Sequence, residues 1–178
     1  MSWYGIVPSF AALKRIGLIS DTHGWLDPRV QAHFSACDEI WHAGDIGPAV
    51  AEELARWKAL RAVFGNIDDG ATRSAFPEHL RFTLEGVRVW ITHIAGKPPR
   101  YTPEVVRELR TTPTDLFICG HSHICSVQFD PGVNCLYMNP GAAGRHGWHQ
   151  VRTILRFSLE AGKVKDLEVI ELGKRGTL

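Results

Sequence analysis

Arg15-Ile-Gly-Leu-Ile-Ser-Asp-Thr-His-Gly24 is the stretch on which the fold turns. Its first six residues, Arg15 to Ser20, form a short apolar run that stops at a polar turn carrying an acid and an imidazole two residues apart. Such a pattern marks a buried strand that ends in a functional loop. The device recurs downstream. Glu39 to His42 ends in Ala43-Gly44-Asp45, and Leu60 to Phe64 ends in Gly65-Asn66. Between these runs, Pro28 opens a helix to about Ser35, and Pro48 to Trp57 repeats Ala, Val and Leu at helical spacing. Repeated β-α units imply a parallel sheet with helical crossovers, and ligands of such sheets bind beyond the carboxyl ends of the strands. Asp21, Asp45 and Asn66 all fall at such ends.

The second half has another rhythm. A hairpin is expected from Leu80 to Leu84 and Val87 to Thr92 around Glu85-Gly86, with His93 where its second strand stops. A helix from Pro103 to about Arg110 follows, then a short strand, Leu116 to Cys119, ending in Gly120-His121-Ser122-His123. Val127 to Asp130, Asn134 to Met138, Val151 to Leu159 and Val164 to Ile170 read as antiparallel strands of a second sheet. The expected fold is α/β: a four-layer α-β-β-α sandwich of two mixed β-sheets flanked by helices, its loops converging at one edge. The chain shows no fixed-period repeat, low-complexity tract or linker. We divide it into an N-terminal extension (1–13), one domain (14–172) and a C-terminal tail (173–178).

The 178 residues suffice for one domain that buries roughly two-thirds of its unfolded surface without an external staple. A net charge of +1 gives no global field to gather nucleic acid or anionic membrane, so attraction for an anion must be local. Cys37, Cys119, Cys125 and Cys135 lack close pairing and read as reduced thiols, which points to the cytoplasm. Met1 to Ala12 has no basic start and is broken by Pro8, unlike a signal peptide. No window approaches the roughly twenty apolar residues of a membrane span, so a soluble protein is expected. The apolar residues of Met1 to Phe10 and the sheet edges leave room for a homodimer.

Asp21, His23, Asp45, Asn66, His93, His121 and His123 are each unremarkable alone, because an Asp-x-His or a Gly-Asp is usually a loop residue bonded to nearby backbone. Together, after successive strands, they have the make-up of a site for two cations. Asp21 and His23 can turn toward one ion. Asp45, one strand over, can reach the same ion and bridge to a second about 3.5–4 Å away. Asn66 offers an amide oxygen, His93 a nitrogen, and His121 and His123 can serve different ions. Two divalent ions against two carboxylates leave a surplus of about two positive charges, which a phosphoryl group satisfies. A water shared by the ions would lose a proton and attack phosphorus in line, with no covalent intermediate on Ser or Cys.

Asp21-Thr22-His23, Gly44-Asp45, Gly65-Asn66-Ile67-Asp68, Thr92-His93, Gly120-His121-Ser122-His123 and Asn139-Pro140-Gly141 resemble the calcineurin-like metallophosphoesterases, nearest to their small bacterial and archaeal phosphodiesterase branch. The resemblance spans about Lys14 to Leu172. It implies one ion on Asp21, His23, Asp45 and His123 and another on Asp45, Asn66, His93 and His121, with Asp45, Asn66 and His93 in catalytic roles. Manganese is the usual ion of such proteins, with iron, nickel, zinc and magnesium as alternatives. The implied substrate is a small phosphate ester, most readily a diester. A scaffold subunit of the retromer keeps this fold without productive metal chemistry, so a metal-binding interaction scaffold is the rival reading. A scaffold has no reason to keep every ligand, and none is missing here. A nuclease would call for a basic stripe with aromatics, and none is visible.

The sequence departs from the family pattern at two places. Ile67 stands where larger members carry a His that protonates the leaving group, and it donates no proton. Ile94 follows His93 where Gly is common. Asp68 is assigned to orienting a ligand or the His23 ring, or, with Asp69, to capping a helix. Lys97 to Tyr101 and Gly144 to His149 are Pro- and Gly-rich; Arg100, Arg145, His146 and His149 read first as solvated loop charges and second as a wall for substrate. Cys119 and Cys125 lack a second pair at zinc-finger spacing. His33, His42 and His79 read as surface or strand residues, and Trp25, Trp41, Trp57 and Trp90 as core.

Overall fold

The computed structural model describes residues 12–176. Met1 to Phe10, invoked above for a dimer, lies outside them. Three strands, β1 (Lys14–Ile19), β2 (Glu39–His42) and β3 (Ala59–Ala62), pair in parallel, with Ile16 opposite Glu39 and Glu39 opposite Ala59. Their crossovers are α1 (Arg29–His33) and α2 (Pro48–Trp57). Proline sets both starts. Its ring fixes φ for a first turn and its missing N–H costs nothing there.

Side-chain alternation on β1 builds two cores at once. Ile16 and Leu18 face the second sheet, while Ile19 faces Val30 and Phe34 of the α1 segment and Leu54 of α2. Gly17 lets the Phe34 ring lie on the strand, since a Cβ there would stand 2.6 Å from that ring.

The second sheet runs in the order β4 (His79–Leu84), β5 (Val87–Thr92), β8 (Leu116–Ile118), β10 (Cys135–Pro140) and β9 (Cys125–Asp130). The expected β4–β5 hairpin forms around Glu85-Gly86. Helix α4 (Pro103–Thr111), capped by Thr102, crosses from β5 to a parallel β8 and lays Val105 and Leu109 on Trp90, Phe117 and Tyr137. The inner face of this sheet sets Val87, Val89, Ile91, Leu116, Ile118 and Met138 against Ile16, Leu18 and Trp41. The result is the four-layer sandwich.

One expectation is corrected. Val151 to Leu159 and Val164 to Ile170 do not extend the second sheet. They become β11 (Val151–Glu160) and β12 (Lys163–Lys174), which return to the first and give it the order β12-β11-β1-β2-β3. β11 runs antiparallel to β1, with Lys14 opposite Leu159 and Leu18 opposite Leu155. The reason is burial: β1 is covered on both faces and must pair on both edges, and β2 supplies only one. A short helix α3 (Gly70–Ala75), whose Thr72 N–H is capped by Asp69, and a two-residue ladder of β6 (Gly96–Lys97) with β7 (Arg100–Tyr101) complete the elements. All four cysteines are free thiols. No helix among the described residues is long and apolar enough to cross a membrane.

Candidate metal centre

Five loops, each leaving the carboxyl end of a strand, meet at one edge of the sandwich. Backbone bonds stitch them: Asp21 N–H to Gly44 O (3.0 Å), His23 N–H to Asp45 O (2.9 Å) and Gly120 N–H to His93 O (3.1 Å). Asp21, His23, Asp45, His121 and His123 all have φ between 51° and 64°. Left-handed backbone costs a non-glycine residue about 1–3 kcal/mol and collects at functional sites. Here it turns successive loops sharply enough to aim alternate side chains inward.

Asp21, His23 and His123 form one group of donor atoms; Asp21, Asp45 and His93 form another. His23 Nε2 stands 3.2 Å from His123 Nε2, and His123 Nε2 is 3.1 Å from Asp21 Oδ1. In the second group His93 Nε2 is 3.2 Å from Asp45 Oδ2 and 3.1 Å from Asn66 Oδ1. Neighbouring ligands at about 2.1 Å from one ion stand about 3.0–3.4 Å apart, so these spacings fit a divalent cation.

Hydrogen bonding makes the same case. His93 Nδ1–H donates to Ala43 O at 2.7 Å, so the lone pair of a neutral ring faces the oxygens of Asp45 and Asn66. Asp21 Oδ1 is buried and accepts no hydrogen bond among the described residues. Acceptors that converge on acceptors require a cation. Without one, a proton takes part of that role. Burial pushes the His93 pKa down, but the Asp45 hydrogen bond and the Asp21 and Asp45 charges outweigh it and raise it. Asp45 is correspondingly lowered: burial works upward, and the His93 bond and charge prevail. Burial lowers His23 and His121.

Two placements differ from the reading of the sequence. Asp21 is common to both donor groups, and Asp45, expected to bridge, lies in one of them, its Oδ1 accepting from Ile67 N–H at 3.0 Å. His121 stands outside both groups, its ring edge-on to His93 at 5.3 Å. Asp68 touches neither a ligand atom nor the His23 ring. It is buried and accepts from Gly65 N–H (2.7 Å), Gly47 N–H (2.9 Å) and Ile46 N–H (3.2 Å), clamping two loops together.

Further supports lie one or two residues from the ligands. Ser20 Oγ donates to Asp21 Oδ2 at 2.6 Å, and Arg73 donates to Asn66 O at 2.8 Å. Asn139 Nδ2 donates to Gly120 O (2.8 Å) and Ser122 Oγ (3.1 Å), holding the 120–123 loop. Gly65 has no room for a side chain: a Cβ would stand 2.0 Å from Asp45 Oδ1. The 144–149 loop packs on the site, with the His149 ring 5.2 Å from His123 and the His146 ring 5.9 Å from His23. Arg145 stacks on Trp25 at 3.9 Å, and among these loop charges Arg100 remains solvated as expected.

His42 is the residue sequence reading passed over. It is fully buried; its Nδ1 accepts from Gly44 N–H (3.2 Å), so Nε2–H donates to Thr22 Oγ1 (3.0 Å), which donates to Ile46 O (2.9 Å). One neutral ring thereby locks the 21–23 and 44–46 loops. Burial, against the opposing pull of Asp21 and Asp45, drives its pKa to about 3. The folded pKa lies below the unfolded value of about 6.5, so the unfolded chain takes the proton first. The contribution of His42 is full above pH 6.5 and falls as pH drops toward 3, by up to about 1.4 kcal/mol per unit. In metal-free protein, urea unfolding between pH 7 and 4.5 should show a shallower loss for His42→Gln than for the parent; equal slopes would exclude this account.

Beside Asn66 and His93 a cleft of about 600 Å³ opens over the outer face of β4 and β5, lined by Phe64 and Ile94 and by the charged Arg73, Glu78, Arg81, Glu104 and Glu108. Sequence reading gave no hint of it.

A sequence profile of the calcineurin-like phosphoesterase superfamily domain matches residues 15–162. No functionally curated protein matches the sequence significantly. Among solved structures, a Vps29 single mutant from Entamoeba histolytica superposes with a TM-score of 0.69 at 15% identity, covering 89% of this chain and 99% of that one. A predicted phosphoesterase from Streptococcus pneumoniae gives 0.61 at 19%, covering 90% of each chain. The phosphoesterase Yfce of E. coli gives 0.54 at 18%, covering 86% and 98%. At these identities the likeness is one of fold, and the profile match assigns the family: the chain belongs to the calcineurin-like phosphoesterase superfamily.

Proposed function

We propose that this protein is a metal-dependent phosphodiesterase with a dinuclear centre held by Asp21, His23, Asp45, Asn66, His93 and His123, with His121 beside it. The observation that carries the proposal is the convergence of acceptors, above all the buried Asp21 Oδ1, which accepts no hydrogen bond among the described residues. Two divalent ions, manganese first among iron, nickel, zinc and magnesium, would supply an acidified water and the positive charge that holds a phosphoryl group.

The chain's own residues do the rest. Ser20, Asp68 and Asn139 fix the loops so that little reorganisation is needed when charge builds on the phosphoryl oxygens. His93 is held in its Nε2-ligating tautomer by Ala43 O. Ile67 gives the leaving group no proton, which favours diesters and activated esters over monoesters with poor leaving groups. The net charge of +1 argues against tracking a nucleic acid strand, and we place the protein in the cytoplasm, acting on a small ester.

Metal-stripped protein should be inert toward bis(p-nitrophenyl) phosphate and regain turnover on addition of manganese. The shared fold with Vps29 supports a second reading, a metal-binding scaffold. Two ions bound with no turnover of any ester across a metal panel would favour that reading and end the first.

A further inference from the structure

We propose, resting on the phosphodiesterase reading, that the substrate carries apolar ester groups, seated in a collar of Ile67, Ile94, Ile124 and Trp148 around the metal centre. Three candidate ligands are each followed directly in the chain by an exposed isoleucine: Ile67 after Asn66 (58% exposed), Ile94 after His93 (45%) and Ile124 after His123 (58%). Trp148, 101% exposed, follows Gly147, whose backbone lies on the His123 ring so closely that a Cβ would stand 2.1 Å from Nδ1. The described residues expose nine large apolar side chains, and four of them directly follow a candidate ligand or the glycine packed on His123 in the chain. Scattered apolar residues on a surface are ordinary, whereas a cluster marks a contact site.

The floor and the walls together define the occupant. The floor consists of acceptor atoms that take cations, so what sits on it presents an anionic phosphoryl group. The exposed side chains that directly follow the candidate ligands are apolar, so the ester groups assigned to them are apolar too. A diester has two such arms. In the chain, Ile67 and Ile94 adjoin Asn66 and His93, and Ile124 adjoins His123, so each arm is assigned an apolar neighbour. Ile94 also lines the 600 Å³ cleft, whose other walls include Arg73, Glu78, Arg81, Glu104 and Glu108, so the apolar arms are assigned to the collar and not to the cleft. A monoester of a sugar or a free nucleotide would leave this collar wet.

The test uses the full chain loaded with manganese and a series of alkyl p-nitrophenyl phosphates, from methyl to octyl, kept below micelle formation. A covered methylene is worth about fourfold, so kcat/KM should rise by about that factor per carbon until the collar is filled. The octyl-to-methyl ratio should fall by about tenfold in Ile94→Asn/Ile124→Asn and by less in Trp148→Ala. Calorimetry with alkylphosphonates, whose C–P bond is not hydrolysed, should show the same chain-length trend in affinity without turnover. Presenting the octyl ester in neutral phosphatidylcholine vesicles separates the sources: faster turnover than of the monomer assigns a lipid-borne ester, and slower turnover a soluble one. A flat series with turnover retained overturns the proposal, leaves the phosphodiesterase reading standing, and hands the collar to a protein partner. Ions bound with no turnover of any ester, and no phosphonate affinity, overturn both.

Discussion

Asp21→Asn is expected to empty both ion positions and to lower phosphodiester turnover by on the order of 10³-fold. Asp21 Oδ1 belongs to both donor groups, while Oδ2 is already engaged by Ser20 Oγ and His121 N–H. An amide turned either way fails. Its NH2 either faces those two donors or replaces the one oxygen that, on the proposed reading, two ions would share. Asp45→Asn should be milder for metal, because the group of Asp21, His23 and His123 survives it, although turnover is lost as well. Metal content by mass spectrometry separates the two: none retained for Asp21→Asn, at most one ion for Asp45→Asn. An Asp21→Asn protein that keeps two ions would refute the shared-oxygen geometry.

Asp27→Asn is expected to cost about 1.5–3 kcal/mol of stability at pH 7, the usual worth of hydrogen bonds to a charged group. Asp27 accepts from Arg152 Nη1, from Arg29 Nη2 at 2.6 Å and from Arg29 Nε at 2.9 Å. Both Asp27 and Arg152 are essentially inaccessible, at 1% and 0% exposure. Arg152 also donates to Leu172 O at 3.1 Å and stands 5.0 Å from the Trp25 ring. Burial pushes the Asp27 carboxyl up, but the Arg29 and Arg152 bonds prevail and hold it at about 2. A lowered acid pKa stabilises above the unfolded value near 4 and loses that contribution as pH falls through about 2. The gap between parent and variant should therefore be full at pH 7 and nearly closed at pH 2. Urea midpoints at pH 7, 4 and 2.5 measure it; equal midpoints at pH 7 would show that the cluster contributes nothing.

Much of the site was legible because each ligand sits where a buried strand meets a polar turn, and both signals are local. Asp21, Asp45, Asn66 and His93 needed nothing more than the end of an apolar run. What escaped was non-local. The pattern of Val151 to Leu159 announces a strand buried on both faces, but not that its partner is β1 at the other end of the chain. The place of Asp21 in both donor groups depends on loops that lie far apart in sequence. His42 looks like one more strand residue until Thr22 and Gly44 are seen on its two nitrogens. Asp68 was singled out, yet its partners proved to be backbone amides of two loops rather than a ring or a ligand.

The pairing of β1 with β11 sets an order of events during synthesis. β1 leaves the ribosome before the other strands described and lies mid-sheet, yet one of its edges stays open until residues 151–160 have emerged. Contacts so distant in sequence close late and slowly. In that interval Ile16 and Leu18 sit on a strand with a free edge, the kind of surface that recruits a second nascent chain. The later-made loop bearing His123 joins Asp21 and His23 only when the two sheets close on each other, so ion capture would be a late step that seals the finished molecule.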